Sequence, residues 1–195
     1  TIAYFFIAFF VYAYYSGGMP AVKRFFKNIV SPAFTSLATQ SSIATLPVNL
    51  ESARKMGVPK DIREIVLPMG ATMHMDGSCL SAILKISFLF GLYGKGFTGI
   101  GTFATAILIS VMSGVVMSGV PGGGLIGEML IVNLYGFPPE AFPIIATIGF
   151  LVDPPATMVN ACGDSVAAMM VTRLVEGKEW LAKVIKGEAQ GQITE

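Results

Sequence analysis

Long apolar segments, most of them interrupted by polar or glycine-rich residues, make up most of this 195-residue chain. A helix needs about 20 apolar residues to cross a bilayer. The breaks within the segments read TQSS, GATMHMDGS, MSGVPGGG and DPP. Irregular backbone is tolerated within a membrane only where protein or a water-filled cavity satisfies its polar groups. The pattern predicts an all-α membrane protein with discontinuous transmembrane helices.

The composition agrees with a membrane environment. Hydrophobic residues make up 53% of the chain and charged residues 13%, whereas soluble domains carry about 25% charged residues. The net charge of +1 provides no basic field for nucleic acid. A single histidine and the lack of an evident nucleophile–base pair argue against an enzyme. We expect most of the outer surface of this protein to contact lipid.

The positions of the breaks predict the organisation of the chain. Residues 1–20 are expected to end a spanning helix, residues 21–175 to form a core, and residues 176–195 to form a cytoplasmic tail with a short surface helix followed by disorder. Within the core we predict a hairpin at 29–56, a broken helix at 61–93, a second hairpin at 98–135 and a broken helix at 139–175.

The two ends of the chain carry further information. The chain begins inside an apolar run without a preceding basic stretch, which argues against a signal peptide and suggests the C-terminal part of a longer protein. Lysine and arginine concentrate before residue 65 and after residue 172. By the positive-inside tendency, the first hairpin should enter from the cytoplasm, the second from outside, and the C-terminus should be cytoplasmic.

One face of the last apolar segment is polar. The residues at i, i+4, i+7 and i+11 are Asp153, Thr157, Asn160 and Asp164. This spacing places them on the same side of a helix. Carboxylates within a membrane are costly and commonly mark substrate or ion pathways. The stripe predicts a binding site.

Two of the breaks offer groups that can bind ions. Residues 70–78 combine glycines, which free backbone carbonyls, with the carboxylate of Asp76. An oxygen-rich cage of this kind suits Na⁺, since transition metals favour nitrogen or sulfur ligands. A helix cap by Asp76 is the alternative. The glycine-rich tip at 118–124 can present amides to an anion, although it lacks the Lys-Ser/Thr ending of a phosphate loop; a plain flexible turn is its alternative.

The motifs SSIATLP, GATMHMDGS, GVPGGG and DPPATMVNACGD, in this order and spacing, resemble the sodium:dicarboxylate symporter family. That family contains glutamate and aspartate transporters and neutral amino-acid exchangers. The resemblance covers about residues 10–175. It implies a multi-pass protein of the plasma or inner membrane with a glutamate-transporter-like elevator fold. It further implies two re-entrant hairpins in a moving transport domain, and a homotrimer formed through an N-terminal scaffold outside this sequence.

The resemblance also implies roles for individual residues. Residues assigned to co-transported Na⁺ are Gly70, Asn160 and Asp164 in one site, His74 and Asp76 in a second, and Thr72, Met75 and Met117 in a third. Residues assigned to the substrate are Ser41, Ser42, Ser78, Val120, Gly122, Gly124, Asp153, Ala156, Thr157 and Asn160. In this scheme Asp153 binds the substrate amino group and Asn160 its α-carboxylate. No organic cofactor is implied.

The sequence departs from the family pattern at the substrate site. Ala156 stands where members with acidic substrates have arginine, and Gly149 where they have a supporting aspartate. A guanidinium would give a substrate carboxylate two charge-assisted hydrogen bonds, and alanine gives none. His74 replaces a common asparagine, and Gln40 stands where some members have arginine.

These departures favour sodium-coupled symport of a neutral amino acid. The alternative is sodium- or proton-coupled symport of a dicarboxylate or acidic amino acid through another cation, for which Lys85 is the candidate. Lys85 and Glu128 are both awkward in apolar segments, and a pair between them is the simpler interpretation. An ion channel or a non-transporting membrane scaffold is the interpretation from a different class.

Overall fold

A computed structural model describes residues 1–117 and 122–189 of the chain. Helices dominate these ranges, and no strand occurs in them. The helices are α1 (Ile2–Asn28), α2 (Val30–Thr39), α3 (Ser42–Met56), α4 (Lys60–Met73), α5 (Asp76–Leu92), α6 (Ile100–Met117), α7 (Gly123–Tyr135), α8 (Ala141–Glu176) and α9 (Trp180–Ala189).

The first hairpin consists of α2 and α3, which lie within the range 29–56. Gln40 forms the turn in the left-handed conformation, with φ of 50°, which few residues other than glycine adopt. Ser41 then caps α3, since its side chain accepts a hydrogen bond from the amide of Ala44 at 3.1 Å. A serine cap contributes about 1 kcal/mol to helix stability. The polar TQSS break is thus a tight helix–turn–helix connection.

The break between α4 and α5 is shorter than the sequence suggests. Only His74 and Met75 separate the two helices, and Gly70 is still helical, its carbonyl accepting from the His74 amide at 2.8 Å. Gly70 is required for another reason. A Cβ at this position would collide with the carboxylate of Asp164 on α8, so the glycine permits close packing of α4 on α8 and does not unwind the helix.

The second hairpin consists of α6 and α7. Residues 118–121, which include the predicted tip residue Val120, lie outside the described residues. Gly122 precedes α7 in the left-handed conformation with φ of 78°, which favours glycine because it has no Cβ. The re-entrant character of both hairpins stays a prediction.

The predicted break in the last helix is wrong. α8 runs unbroken for 36 residues through Pro154 and Pro155. The two prolines lack amide hydrogens, so the carbonyls of Phe150 and Leu151 lose their helical donors. Packing of α8 against α1 to α5 and α7 holds the helix together despite this loss. The polar stripe from Asp153 to Asp164 therefore lies on one continuous surface.

α8 is the centre of the fold. One apolar cluster joins it to α1, α3, α4 and α9, and a second joins its N-terminal part to α5, α6 and α7. Among the described residues, four helical segments are long and apolar enough to cross a bilayer, namely Ile2–Asn28, Lys60–Leu92, Ile100–Met117 and Ala141–Glu176. Large apolar side chains on the outside, such as Ile100 at 90% exposure and Leu151 at 76%, are suited to lipid.

The tail begins with a helix that packs on α1. Trp180 of α9 is buried, and its indole nitrogen donates to the carbonyl of Ser16 at 2.7 Å. Arg24 forms a hydrogen-bonded ion pair with Glu188, and these hydrogen bonds lower the pKa of the Glu188 carboxyl. The disorder predicted for the end of the tail concerns residues 190–195, which lie outside the described residues.

The helical backbone of α1 is interrupted by a kink at Gly17 and Gly18. We expect Trp180→Ala to detach α9 from this kink. Truncating a buried tryptophan costs about 3–5 kcal/mol, and the Ser16 carbonyl would lose its donor. Limited proteolysis of the purified protein should then cut α9 faster. Leu174→Ala is the matched control, because Leu174 is 71% exposed, and it should be cut at the original rate. Equal protection in Trp180→Ala would contradict the docking of α9.

Candidate functional site

A cavity of about 100 Å³ lies where the two hairpin ends meet the polar face of α8. The first hairpin contributes Gln40 and Ser42, the second Met117 and residues 122–125. The remaining described lining residues are Met75, Ser78, Glu128, Ala146, Gly149, Phe150, Asp153, Thr157 and Asn160. Each of the four motifs that the sequence singles out therefore contributes residues to this cavity.

Asp153 belongs to an ion-pair cluster at this cavity. Its Oδ1 accepts from Lys85 Nζ at 2.7 Å and from Ser81 Oγ at 3.2 Å. Lys85 also donates to Glu128 Oε1 at 2.6 Å. Lys85 and Glu128 are completely buried, while the Asp153 side chain keeps 23% exposure. The expected pair between Lys85 and Glu128 is confirmed, and Asp153 is a third member that sequence reasoning missed.

The Glu128 carboxylate occupies the space beside Gly149. A Cβ at Gly149 would collide with Glu128 Oε1, and a Cβ at Gly124 would collide with Asp153 Oδ2. These two glycines therefore let α7 and its carboxylate approach α8. In this arrangement, any side chain at position 149 would overlap with the Glu128 carboxylate.

Asn160 closes the break between α4 and α5. Its Oδ1 accepts from the amides of Gly77 at 2.8 Å and Ser78 at 3.2 Å, which cap the start of α5. Its Nδ2 donates to Ser78 Oγ at 2.8 Å and contacts Met75 Sδ at 3.4 Å. Sulfur is a weak acceptor. A stronger acceptor can therefore replace Met75 Sδ as the partner of Asn160 Nδ2.

His74 lies between the two carboxylates assigned to different Na⁺ sites. Its Nδ1 is 3.2 Å from Asp164 Oδ1, and its Nε2 is 3.7 Å from Asp76 Oδ2. Tyr4 also interacts with the carboxylate of Asp76. The family resemblance groups His74 with Asp76, whereas in the structure His74 lies closer to Asp164. The imidazole therefore links the two candidate sites.

Both carboxylates retain a buried oxygen without a hydrogen bond in the described part of the chain, namely Asp164 Oδ2 and Asp76 Oδ2. An unpaired carboxylate oxygen is costly in a buried position, and a bound cation would satisfy it. Among the described residues, no group of three or more histidine, cysteine or acidic side chains is arranged to hold a metal ion. An ion here would rely on backbone carbonyls for its other ligands, as Na⁺ commonly does.

The residues expected to form the third Na⁺ site are only partly together. Met75 and Met117 are buried and line the cavity. Thr72 is exposed, and its hydroxyl donates to the carbonyl of Met69 at 2.9 Å. The Thr72 side chain is directed along its own helix and does not join the other two residues at the cavity.

The other predicted substrate residues also differ in their placement. Ser42 is buried at the cavity, and its Oγ has no hydrogen-bond partner among the described residues. The hydroxyl of Ser41, in contrast, caps α3. Thr157 lines the cavity and donates to the Asp153 carbonyl at 2.9 Å. Ala156 is buried but lies outside the cavity lining, its carbonyl facing Gly77.

A family model described as "Sodium:dicarboxylate symporter family" matches residues 1–174. The chain belongs to this family. It is 33% identical over 151 residues to human "Excitatory amino acid transporter 2", a match that covers 77% of this chain and 26% of that protein. Identity to human "Neutral amino acid transporter A" is 32% over 167 residues, or 83% of this chain and 31% of that protein. Mouse "Excitatory amino acid transporter 3" is 34% identical over 152 residues, 77% of this chain and 29% of that protein.

Membership of the sodium:dicarboxylate symporter family and the four apolar helical segments make the chain a multi-pass membrane protein. The chain spans about a quarter to a third of the length of the relatives it matches. The relatives include transporters named for excitatory and for neutral amino acids at nearly equal identity. Overall sequence similarity therefore does not distinguish acidic from neutral amino acids as the substrate. The residues of the cavity are the remaining basis for the distinction.

One prediction concerns the packing of α4 on α8 beside the candidate Na⁺ site. Gly70→Ala would force a Cβ into the Asp164 carboxylate, and overpacking of this kind costs about 1–3 kcal/mol. We expect a lower melting temperature and weaker stabilisation by sodium. Gly91→Ala is the matched control, because a Cβ at Gly91 meets no atom within 4 Å. Equal melting temperatures for the two variants would contradict the contact.

Proposed function

We propose that the protein containing this chain is a secondary active transporter that couples inward movement of a neutral amino acid to Na⁺. The observation that carries the proposal is the cavity between the two hairpin ends and the polar face of α8. Beside it, Asp164 and Asp76 retain buried carboxylate oxygens without hydrogen bonds in the described ranges. A substrate site next to cation sites is the arrangement that coupled transport requires.

A zwitterionic amino acid has partners in this cavity. Its ammonium group would bind Asp153, whose Oδ2 lies at the second hairpin beside Gly124. Its carboxylate would accept from Ser42 Oγ, which has no other partner among the described residues. The carboxylate would also replace Met75 as the acceptor for Asn160 Nδ2. The roles of these residues agree with those that the family resemblance implies.

The charges at the cavity favour a neutral over an acidic substrate. The charged side chains among its described lining residues are Glu128 and Asp153, both acidic. Lys85, the candidate partner for a substrate side-chain carboxylate, is held by both of them at 2.6 and 2.7 Å. A second carboxylate on the substrate would therefore face negative charge and would lack a free cation.

The family resemblance supports a proposal for the assembly. We propose a homotrimer formed through a scaffold outside this sequence, with residues 21–175 as the core of the transport domain that carries the cavity across the membrane. Lipid would contact the exposed apolar faces. We propose transport and not catalysis as the activity of the site.

Uptake measurements test this proposal. The full-length protein, reconstituted in proteoliposomes, should take up radiolabelled neutral amino acids when sodium is outside, with saturation, and should stop when choline replaces sodium. Uptake that persists without sodium would contradict coupling. Ion flux that does not saturate with any amino acid would indicate a channel.

A further inference from the structure

Glu128 has an oxygen that the ion-pair cluster does not use. Its Oε1 is bound to Lys85 Nζ at 2.6 Å, while its Oε2 has no hydrogen-bond partner among the described residues, although the side chain is 1% exposed. Leaving a charged acceptor buried and unpaired is costly. Because Glu128 lines the cavity, a ligand there can supply the missing donor.

The charges around Glu128 leave an excess of acceptors. Lys85 is a single cation between the carboxylates of Glu128 and Asp153. On Asp153, Lys85 and Ser81 both donate to Oδ1. The cluster therefore carries one more negative charge than positive charge when all three groups are ionised. A ligand with donors matches it, and a ligand that brings another carboxylate does not.

The position of Glu128 assigns it to the side chain of the substrate. Its carboxylate lies against Gly149, four residues before Asp153 on α8, and Asn160 lies seven residues after Asp153. At 1.5 Å per residue, the Gly149 end and the Asn160 end of the stripe are about 16 Å apart. With the carboxylate of an amino acid towards Asn160 and its ammonium at Asp153, the part of the cavity beside Glu128 is left for the side chain.

We propose that Glu128 determines substrate specificity by accepting a hydrogen bond from the substrate side chain at Oε2. The substrates are then polar neutral amino acids whose side chains end in a donor, a hydroxyl or a carboxamide. This inference rests on the proposed function and names its substrate class. An apolar side chain leaves Oε2 desolvated and unpaired, and a site built for a hydrogen bond rejects such an analogue strongly. An acidic side chain meets like charge.

Pairs of amino acids with nearly the same shape test the wild-type protein. In sodium-dependent uptake by the full-length protein, we expect threonine to be preferred over valine, and asparagine over aspartate, each by at least about tenfold in apparent affinity. This comparison needs no variant. Preferences within about twofold for threonine and valine would overturn the role of Glu128.

Two variants assign the preferences to Glu128. Glu128→Gln can keep an oxygen on Lys85 while it turns a donor into the cavity, so the preference for asparagine over aspartate should fall at least about tenfold. Lys85→Leu/Glu128→Leu removes the buried pair as a unit, which is commonly tolerated, and should abolish the preference for threonine over valine. Glu140→Gln, at an exposed glutamate, is the matched control and should keep both preferences.

The outcomes separate this inference from the proposed function. Sodium-dependent uptake with unchanged preferences in Glu128→Gln and in the double variant would overturn the inference and leave coupled transport intact. A wild type that prefers aspartate to asparagine would also overturn it. A wild type that takes up no amino acid in response to sodium would contradict the proposed function, and the inference with it.

Discussion

Replacement of Asp164 by alanine should nearly abolish sodium-dependent substrate binding. Asp164 is 1% exposed, its Oδ1 lies 3.2 Å from His74, and its Oδ2 has no hydrogen bond in the described part of the chain. If this oxygen binds Na⁺, its loss removes a charged ligand of the ion. We expect the apparent sodium affinity to fall at least about a hundredfold, which corresponds to about 2.7 kcal/mol.

Two controls make this prediction specific. Asp164→Asn keeps the shape but not the charge, and it should show most of the loss in affinity. Asp61→Ala removes an exposed carboxylate near the start of α4 and should bind sodium as the wild type does. Binding is measured by thermal stabilisation of the purified full-length protein while sodium and substrate are varied. Normal substrate binding by Asp164→Ala at low sodium would contradict the assignment.

The second large effect is expected at Lys85. Lys85→Met would leave the carboxylates of Glu128 and Asp153 close together without their shared cation. Removing one partner of a buried pair costs about 3–5 kcal/mol. We therefore expect a large drop in the melting temperature of the purified protein, or failure to accumulate as folded protein.

A double-mutant cycle measures the coupling between Lys85 and Glu128. Lys85→Met/Glu128→Met removes both buried charges and should recover most of the stability lost in Lys85→Met alone. Lys183→Met, at an exposed lysine of α9, is the control and should leave the melting temperature unchanged. Destabilisation of the double variant by the sum of the two single variants would show that the pair is not coupled.

The cluster also changes what is needed to admit acidic substrates. The family resemblance suggests that replacing Ala156 by arginine and Gly149 by aspartate would shift the preference towards acidic amino acids. The space beside Gly149 is filled by the Glu128 carboxylate, and Ala156 lies outside the cavity lining. The aspartate would therefore clash and repel, and a change of substrate class has to begin at Glu128.

Features that depend on residues close in sequence were predictable. The TQSS turn, the interruption before Asp76 and the polar stripe on α8 follow from local backbone preferences and from the helical period. The break at Pro154 and Pro155 was predicted wrongly, because proline weakens a helix locally while the surrounding helices decide whether it stays continuous. Lys85 and Glu128 could be noticed as charges in apolar segments, and their pairing was anticipated.

The sequence by itself determined the membrane-protein class, the family motifs, the hairpins and which residues carry charge into the apolar segments. Only the tertiary structure decided how those charges combine. Lys85 meets Asp153 across 68 positions of sequence, and His74 meets Asp164 across 90. Likewise Asn160 caps a helix that begins 84 residues before it. Such contacts are set by how whole helices pack on α8, because local periodicity fixes the face of a helix on which a side chain lies but not the partner that this face meets.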